Sequence, residues 1–482
     1  MMRYPKLPAR AGLCCLVAVA VAAATAGAAI ASTTPAASAA QAASTPPACS
    51  QTPQPTGPTT VTTIGQAYNC IFAHYYSGPV LDDRVLLAGA FGGLTEELDR
   101  LGVDQPDATM PALTGNRDGD WAAFAAVYSR VIGKVPPRDV QQVAAAAMTS
   151  MVAALNDNHA RWAYPAQQPP GEVPGETYGV GGAISPSEGL AEYAPGAVLP
   201  PLTVTSVDPG SPFARAGIRP GDIIVSVDGA PPFADGMPSA GVFRLLLETQ
   251  QYPPQALRIT VRWPVTGATR TITVSPGLYK APAQSVTAKL LDGDIGYVQI
   301  LGFYPDVASQ VQTAVTDMEK TATLRGLILD LRGNGGGVST GVSQLLGEFE
   351  HGTAYAYGCT VTGACTADYP DATVPLLHLP LAVLTDRDCA SGCDSFSGAV
   401  KDLHLGTLIG TRTAGIVAGP AAGWALDDGS QLGLPAMHVL GADHELINGI
   451  GVAPDYDIPR TAQDLATGHD PDVAKALALL KA

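Results

Sequence analysis

Leu327-Ile328-Leu329-Asp330-Leu331 is a short, nearly all-apolar run that leads directly into Arg332-Gly333-Asn334-Gly335-Gly336-Gly337-Val338. A run of this kind without polar alternation fits a strand buried in a sheet that is covered on both faces. Ile295 to Ile300 reads as an earlier strand and Val307 to Met318 as an amphipathic helix between the two. Strand, helix, strand in that order predicts an α/β sheet built by a crossover. The three glycines permit a turn with exposed N–H groups, and open sheets bind ligands outside the carboxyl ends of their strands. A helix over Gly341 to Phe349 follows.

A second strand, turn and helix lies at Pro380 to Leu403. Its apolar run ends at Leu384, and Phe396, Ala399, Val400 and Leu403 recur at helical spacing. Ser391 sits at the turn between them. A helix amino terminus offers unpaired N–H groups and a field that favours a developing anion, which suits a nucleophile, although serine at this place is also an ordinary helix cap.

Upstream, Thr62 to Tyr76, Val80 to Leu101, Trp121 to Val131 and Val140 to Leu155 carry helical apolar spacing, with Asp139 as the expected cap of the last. That helix runs into Asn156-Asp157-Asn158-His159. A histidine in a polar, turn-prone stretch, off any apolar stripe, is a candidate general base, with a surface or capping role as the alternative.

Arg3, Lys6 and Arg10 precede the apolar run Ala11 to Ala31 and a small-residue stretch that includes Ala37-Ser38-Ala39, which reads as a cleaved secretory signal. A retained membrane anchor is the alternative, since the run is long enough to span. Without one, no stable membrane insertion is expected. A formal net charge of -16 with no basic cluster argues against nucleic-acid partners. Cys49, Cys70, Cys359, Cys365, Cys389 and Cys393 would remain after cleavage. An even set in an oxidising compartment points to disulfides, with the local pairs 49/70, 359/365 and 389/393 preferred among the possible connectivities. No close Cys-x2-Cys knuckle or His-Glu-x-x-His spacing calls for a metal, and no cofactor motif is present.

Residues 175–278 change texture to short β-prone runs at Leu202 to Val207, Ile223 to Val227, Leu257 to Trp263 and Thr269 to Val274. Within them, Val207-Asp208-Pro209-Gly210-Ser211-Pro212-Phe213-Ala214-Arg215-Ala216-Gly217-Ile218-Arg219-Pro220-Gly221-Asp222 resembles the central stretch of a PDZ domain. Tyr178, Gly179, Val180 and Gly181 are similar to its carboxylate-binding loop. PDZ domains take a peptide as an added strand, so the resemblance implies peptide-segment or peptide-terminus binding. A spacer or lid without ligand is the alternative.

Over roughly residues 80–480 the chain resembles the S41 family of serine peptidases, which includes carboxyl-terminal processing proteases and the tricorn protease core. The resemblance rests on ordered features: Asp157-Asn158-His159, the PDZ stretch, Gly296-Tyr297-Val298, Asp330 to Gly337, Cys389-Ala390-Ser391, Leu408 to Thr413, Asp427-Asp428-Gly429, and Gly451-Val452-Ala453-Pro454-Asp455. With the signal and low-complexity segment (1–40) and the helical domain (58–170) read above, it implies a multidomain α+β and α/β protein that adds a PDZ-like β domain (175–278) and a crotonase-like (ClpP/crotonase-type) α/β protease core (285–482). The processing-protease branch uses a lysine base after the position of Thr413. Here Ala414-Gly415-Ile416-Val417-Ala418-Gly419 has none, and Lys401 lies about 15 Å along the helix from Ser391. The tricorn-like branch uses Ser, His, a Ser just before that His, and a Glu. It maps Ser391 as nucleophile, His159 as base and Asn158 at the hydroxyl position, with the acid's role falling to Glu445 or, as an amide, to Asn448. Oxyanion donors are expected at Gly336 or Gly337 and at Gly392. The implied activity is that of a secreted serine endopeptidase acting on peptides or unfolded proteins through an acyl-enzyme. A catalytically inactive peptide-binding scaffold on the same fold is the alternative.

Overall fold

The computed structural model describes residues 46–165, 169–185, 198–250, 252–253, 255–280, 286–419 and 421–481; the secretory signal expected at 1–40 lies outside them. At the amino terminus, helices Val61–His74, Asp83–Arg100, Arg117–Ile132 and Val140–Ala153 form a bundle. Thr60, Asp82 and Asn116 cap the first three by accepting from backbone N–H groups. Asp139 makes no such bond, so the expected cap of the fourth helix is a helical-conformation residue instead. The second and fourth helices approach closely because Gly89 and Gly93 face Ser150: a Cβ on Gly93 would lie 2.4 Å from Ser150 Oγ and 2.5 Å from Ala146 O. Either substitution would force the pair apart.

The bundle's core does not end with its own helices. Leu426, Leu432 and Leu434 are fully buried within it, because strands Ala421–Ala425 and Gln431–Pro435 form a small antiparallel sheet with Arg161–Ala163. Trp162 is anchored there by donating to Ser430 Oγ at 2.7 Å. The segment just after His159 is thus stitched to a part of the chain some 270 residues later, which fixes the turn that carries the histidine.

The middle module is a five-stranded antiparallel sheet in the order Gly182–Ser185, Thr203–Val207, Ile223–Val227, Leu257–Arg262, Thr269–Val274. Its two helices are Pro212–Arg215, capped by Ser211 Oγ, and Ala240–Glu248. Among the described residues Gly182–Ser185 forms one edge of this sheet, the kind of strand that can pair with an incoming one.

The remaining core is a six-stranded sheet in the order Val286–Leu291, Ile295–Ile300, Gly326–Asp330, Leu381–Thr385, Thr407–Gly410, Tyr456–Asp457. The first strand is antiparallel and the others are parallel. Gly326–Asp330 and Leu381–Thr385 are neighbours and wholly buried. Helices Val307–Glu319, Ser339–Gly347 and Gly392–Asp402 pack on one face. The helix Pro471–Leu480 packs on the other against Ile328, Ala382 and Leu384. Arg332 clamps that helix to the sheet: its buried guanidinium donates to Asp330, Asp470 and Asp472 at 2.6–2.9 Å. Because the two central strands are parallel neighbours, the turns at Gly333–Gly337 and at Ser391 emerge side by side at the sheet's carboxyl edge.

Candidate active site

Ser391 caps the helix Gly392–Asp402 with φ 58° and ψ -117°, a conformation a non-glycine residue adopts only when its surroundings impose it. Its N–H is shared between Ile416 O at 2.9 Å and Asp394 Oδ2 at 3.0 Å. The Cys389–Cys393 disulfide spans the turn and is fully buried, and the Ala390 N–H donates to Asn334 O at 3.0 Å. The turn is therefore held from three directions, which fixes where the hydroxyl can reach. The other two disulfides are Cys49–Cys70 and Cys359–Cys365.

Gly336 is packed directly against this turn: a Cβ there would lie 2.7 Å from the Ser391 Cβ and 2.5 Å from Ala390 O. Its N–H donates to Asn334 Oδ1 at 2.8 Å, so Gly336 is not available as an oxyanion donor. Asn334 spends its amide holding this loop, donating from Nδ2 to Ile300 O at 3.0 Å. The Gly337 and Gly392 N–H groups have no acceptor among the described residues, and the two residues are neighbours: a Cβ on Gly392 would sit 3.4 Å from Gly337 N. These are the two donors that could face a developing oxyanion.

His159 lies past the helix Val140–Ala153. The Asp157 carboxylate shapes its turn, Oδ1 accepting from the His159 N–H (2.8 Å) and the Ala160 N–H (3.1 Å), and Oδ2 from the Tyr75 hydroxyl (3.0 Å). The ring Nδ1 is 2.8 Å from Asn158 Oδ1; Asn158 Nδ2 is 2.7 Å from Asn448 Oδ1; and Asn448 Oδ1 accepts from the Val417 backbone N–H at 3.0 Å. The last bond fixes the others. A backbone N–H can only donate, so the Asn448 atom is the oxygen, Asn158 must present its NH2 to it, and Asn158 offers its carbonyl to the ring. Nδ1 therefore carries the proton and Nε2 keeps the free lone pair. Burial lowers the pKa of His159 and the nearby Asp157 carboxylate partly opposes this, so the ring is neutral near pH 7.

Asn158 Nδ2 also reaches Gly415 O at 3.4 Å. Gly415 to Val417 thus bonds the Ser391 turn on one side and the His159 support on the other. The expected carboxylate is elsewhere: Glu445 does not join this chain but lies against Asp402, whose pKa burial and the Glu445 carboxyl push up to about 7. It is Asn448, three residues on, that meets Asn158, with Ile447 between the two buried against Gly398. Lys401 donates to Ala453 O at 2.6 Å and is committed there. Where a lysine base would be needed, Ile416 instead packs its side chain against the core of the middle module.

In that module, Tyr178, Gly179, Val180 and Gly181 line a cleft with Gly182, Ile184 and Leu246, between the edge strand Gly182–Ser185 and the helix Ala240–Glu248. Tyr178 and Gly179 belong to the strand Glu176–Gly179, which pairs with Gly277–Lys280. The Val180 and Gly181 carbonyls are used internally, by the Phe213 N–H and by the Asp208 N–H and Ser211 hydroxyl.

Sequence reasoning gave no individual role to Asp157, Asn334 or Asp394. Asp394 stands three residues after the Ser391 cap, a spacing typical of a carboxylate returning to the cap's N–H. Asp157 and Asn334 sit in turns where such side chains bond backbone two residues on.

Residues 294–458 match the model of peptidase family S41, and residues 203–247 match that of a PDZ domain. The chloroplastic C-terminal processing peptidase of Tetradesmus obliquus is 27% identical over 344 residues, 67% of this chain and 70% of the relative. The tricorn protease of Thermoplasma volcanium is 33% identical over 194 residues, 40% of this chain and 18% of that protein. Among solved structures, the photosystem II D1 C-terminal processing protease superposes with a TM-score of 0.54 at 22% identity, covering 88% of this chain and 97% of that one, which is a likeness of fold. Among the described residues no helix is long and apolar enough to cross a membrane.

Proposed function

Because this chain belongs to peptidase family S41 and is a serine-type peptidase, we propose that it is an exported endopeptidase using Ser391 as nucleophile and His159 as base. The orienting group for the histidine is a pair of amides, Asn158 and Asn448, in place of a carboxylate. The observation that carries this reading is the Val417 N–H on Asn448 Oδ1, which through two amides leaves Nε2 as the proton acceptor.

Ser391 Oγ forms a bond to the scissile carbonyl carbon as its proton passes to His159 Nε2. The oxyanion is held by the Gly337 and Gly392 N–H groups and by the positive end of the helix Gly392–Asp402. The Nε2 proton then leaves with the amine as the peptide bond breaks, and water, deprotonated by the same nitrogen, releases the acyl group. The Asp157 carboxylate favours the transient imidazolium. The middle module receives an extended peptide segment or terminus along Gly182–Ser185, with the turn Tyr178–Gly181 at its end. Substrates are therefore peptides or unfolded proteins.

Wild-type protein is expected to form a covalent adduct at Ser391 with a fluorophosphonate and to hydrolyse peptides. His159→Ala is expected to lower both rates by about a thousandfold or more with folding intact. Peptide hydrolysis that persists unchanged in His159→Ala sinks the assignment. An unreactive Ser391 beside tight peptide binding would point to a scaffold.

A further inference from the structure

On the reading of Ser391 as nucleophile and His159 as base, we propose that Asp394 is a positioning residue whose carboxylate locks the nucleophile turn to the loop that orients the base. Asp394 is 0% exposed and lies in the first turn of the helix that Ser391 caps. Oδ2 accepts from the Ser391 N–H at 3.0 Å and the Ile416 N–H at 3.0 Å, and Oδ1 accepts from the Gly415 N–H at 2.9 Å. The Thr413 hydroxyl, which accepts from the Val452 N–H, also favours the charged form of this carboxyl group. Three backbone donors from two chain segments thus converge on one carboxyl group.

The geometry makes this more than a helix cap. A cap bond ends at its own helix, whereas here two of the three bonds hold Gly415 and Ile416. Those residues are already tied to the catalytic side chains: Ile416 O accepts from the Ser391 N–H, Gly415 O from Asn158, and the next N–H, that of Val417, fixes Asn448. Asp394 closes this circuit. It is also what holds Ser391 at φ 58° from the helix side, and a displacement of about 1 Å at a reacting centre can cost about a hundredfold in rate.

The carboxylate form is required, since an isosteric amide has one acceptor oxygen and would turn an NH2 toward a backbone N–H. Burial raises the Asp394 pKa to about 6 while the Thr413 hydroxyl and the backbone donors oppose the shift. The charged group whose field couples to it is Arg387, on the loop before the turn; the 413–416 loop presents only Thr413 and backbone amides. Acidification through about pH 6 therefore costs the turn an acceptor, and protonation of His159, whose pKa burial lowers, adds a second proton to the acid limb.

The test is the second-order rate of fluorophosphonate labelling, with kcat and KM on a peptide, for wild type and Asp394→Asn between pH 4.5 and 8. Asp394→Asn is expected to label about a hundredfold more slowly at pH 7.5, with kcat lowered alike and KM within about threefold. Its acid limb is expected to follow one proton where the wild type follows two. Labelling within threefold of wild type, with the steep acid limb retained, overturns the proposal. If Asp394→Asn does not fold, Asp394→Glu decides, since it keeps the charge but moves the carboxylate oxygens: labelling slowed about tenfold or more with KM within about threefold supports the proposal, and labelling within about threefold of wild type overturns it. A wild type that does not label at all fails the serine-peptidase reading itself, a result separable from these.

Discussion

The two ends of the helix Gly392–Asp402 carry the same side chain in opposite circumstances. Asp394, in the first turn, is fully buried yet meets three backbone N–H donors and the positive end of the helix dipole. Asp402, in the last turn, faces the Glu445 carboxyl, and its buried Oδ2 has no donor among the described residues. Both pKa values are raised by burial, to about 6 and about 7, but the first carboxylate meets several donors that favour its charge, whereas the second adjoins another carboxyl group that opposes it. The front of the helix is an assembled anion site, while the back is a joint that prefers a shared proton. One loop serves both ends, with Glu445 at the back and Asn448 at the front.

If the front end is where the chemistry is organised, substitutions there should change rate more than stability. After substitutions at Ser391, His159 and Asp394, the largest effect is expected for Asn448→Leu, which frees the Asn158 amide and with it the tautomer of His159. Its kcat should fall by about ten- to a hundredfold with KM nearly unchanged. A kcat within twofold of wild type would mean that the ring is oriented by something other than the amide pair.

Next in size is the disulfide across the Ser391 turn. Replacing Cys389 and Cys393 by Ser should cost about 2 kcal/mol by chain entropy, because the loop closed is short. Replacing Cys49 and Cys70, which close 21 residues, should cost about 3 kcal/mol by the same relation. Rate should rank the other way, with labelling of Ser391 slowed only in the first variant. Chemical denaturation and fluorophosphonate kinetics on the two variants check both rankings.

The smallest effect belongs to the back end. The folded-state pKa of Asp402 is raised, so its contribution to stability is fully present below about pH 4 and is lost as pH rises through about 7. Asp402→Asn should therefore raise the melting temperature at pH 8 and leave it unchanged at pH 4. Because the group is partly solvated, the gain is under about 1 kcal/mol, with labelling of Ser391 unaffected. A rate loss here as large as at Asn448 would erase the distinction between the two ends.

Much of this organisation is legible in the chain itself. The Leu327 to Leu331 run, the strand, turn and helix around Ser391, and the His159 turn all depend on contacts between near neighbours. Two of the expected features depend on more than that. Gly336 was a reasonable oxyanion donor from its place among three glycines, but which of those N–H groups is free depends on where the Asn334 side chain points. Glu445 and Asn448 stand three residues apart, and which of them reaches the histidine depends on how a loop wraps the far side of a helix.

The sequence alone determined the residue types at the site: a serine at a helix start, a histidine in a polar turn, and glycines after a buried strand. Those choices are set by backbone propensity and apolar period, which are local quantities. The tertiary structure alone decided their partnerships. Asn158 meets Asn448 across 290 residues, and Asp394 meets Gly415 across 21. Such bonds exist only once the sheet has set its turns side by side, because a hydrogen bond requires its atoms within about 3 Å and no local pattern encodes a distance between remote segments.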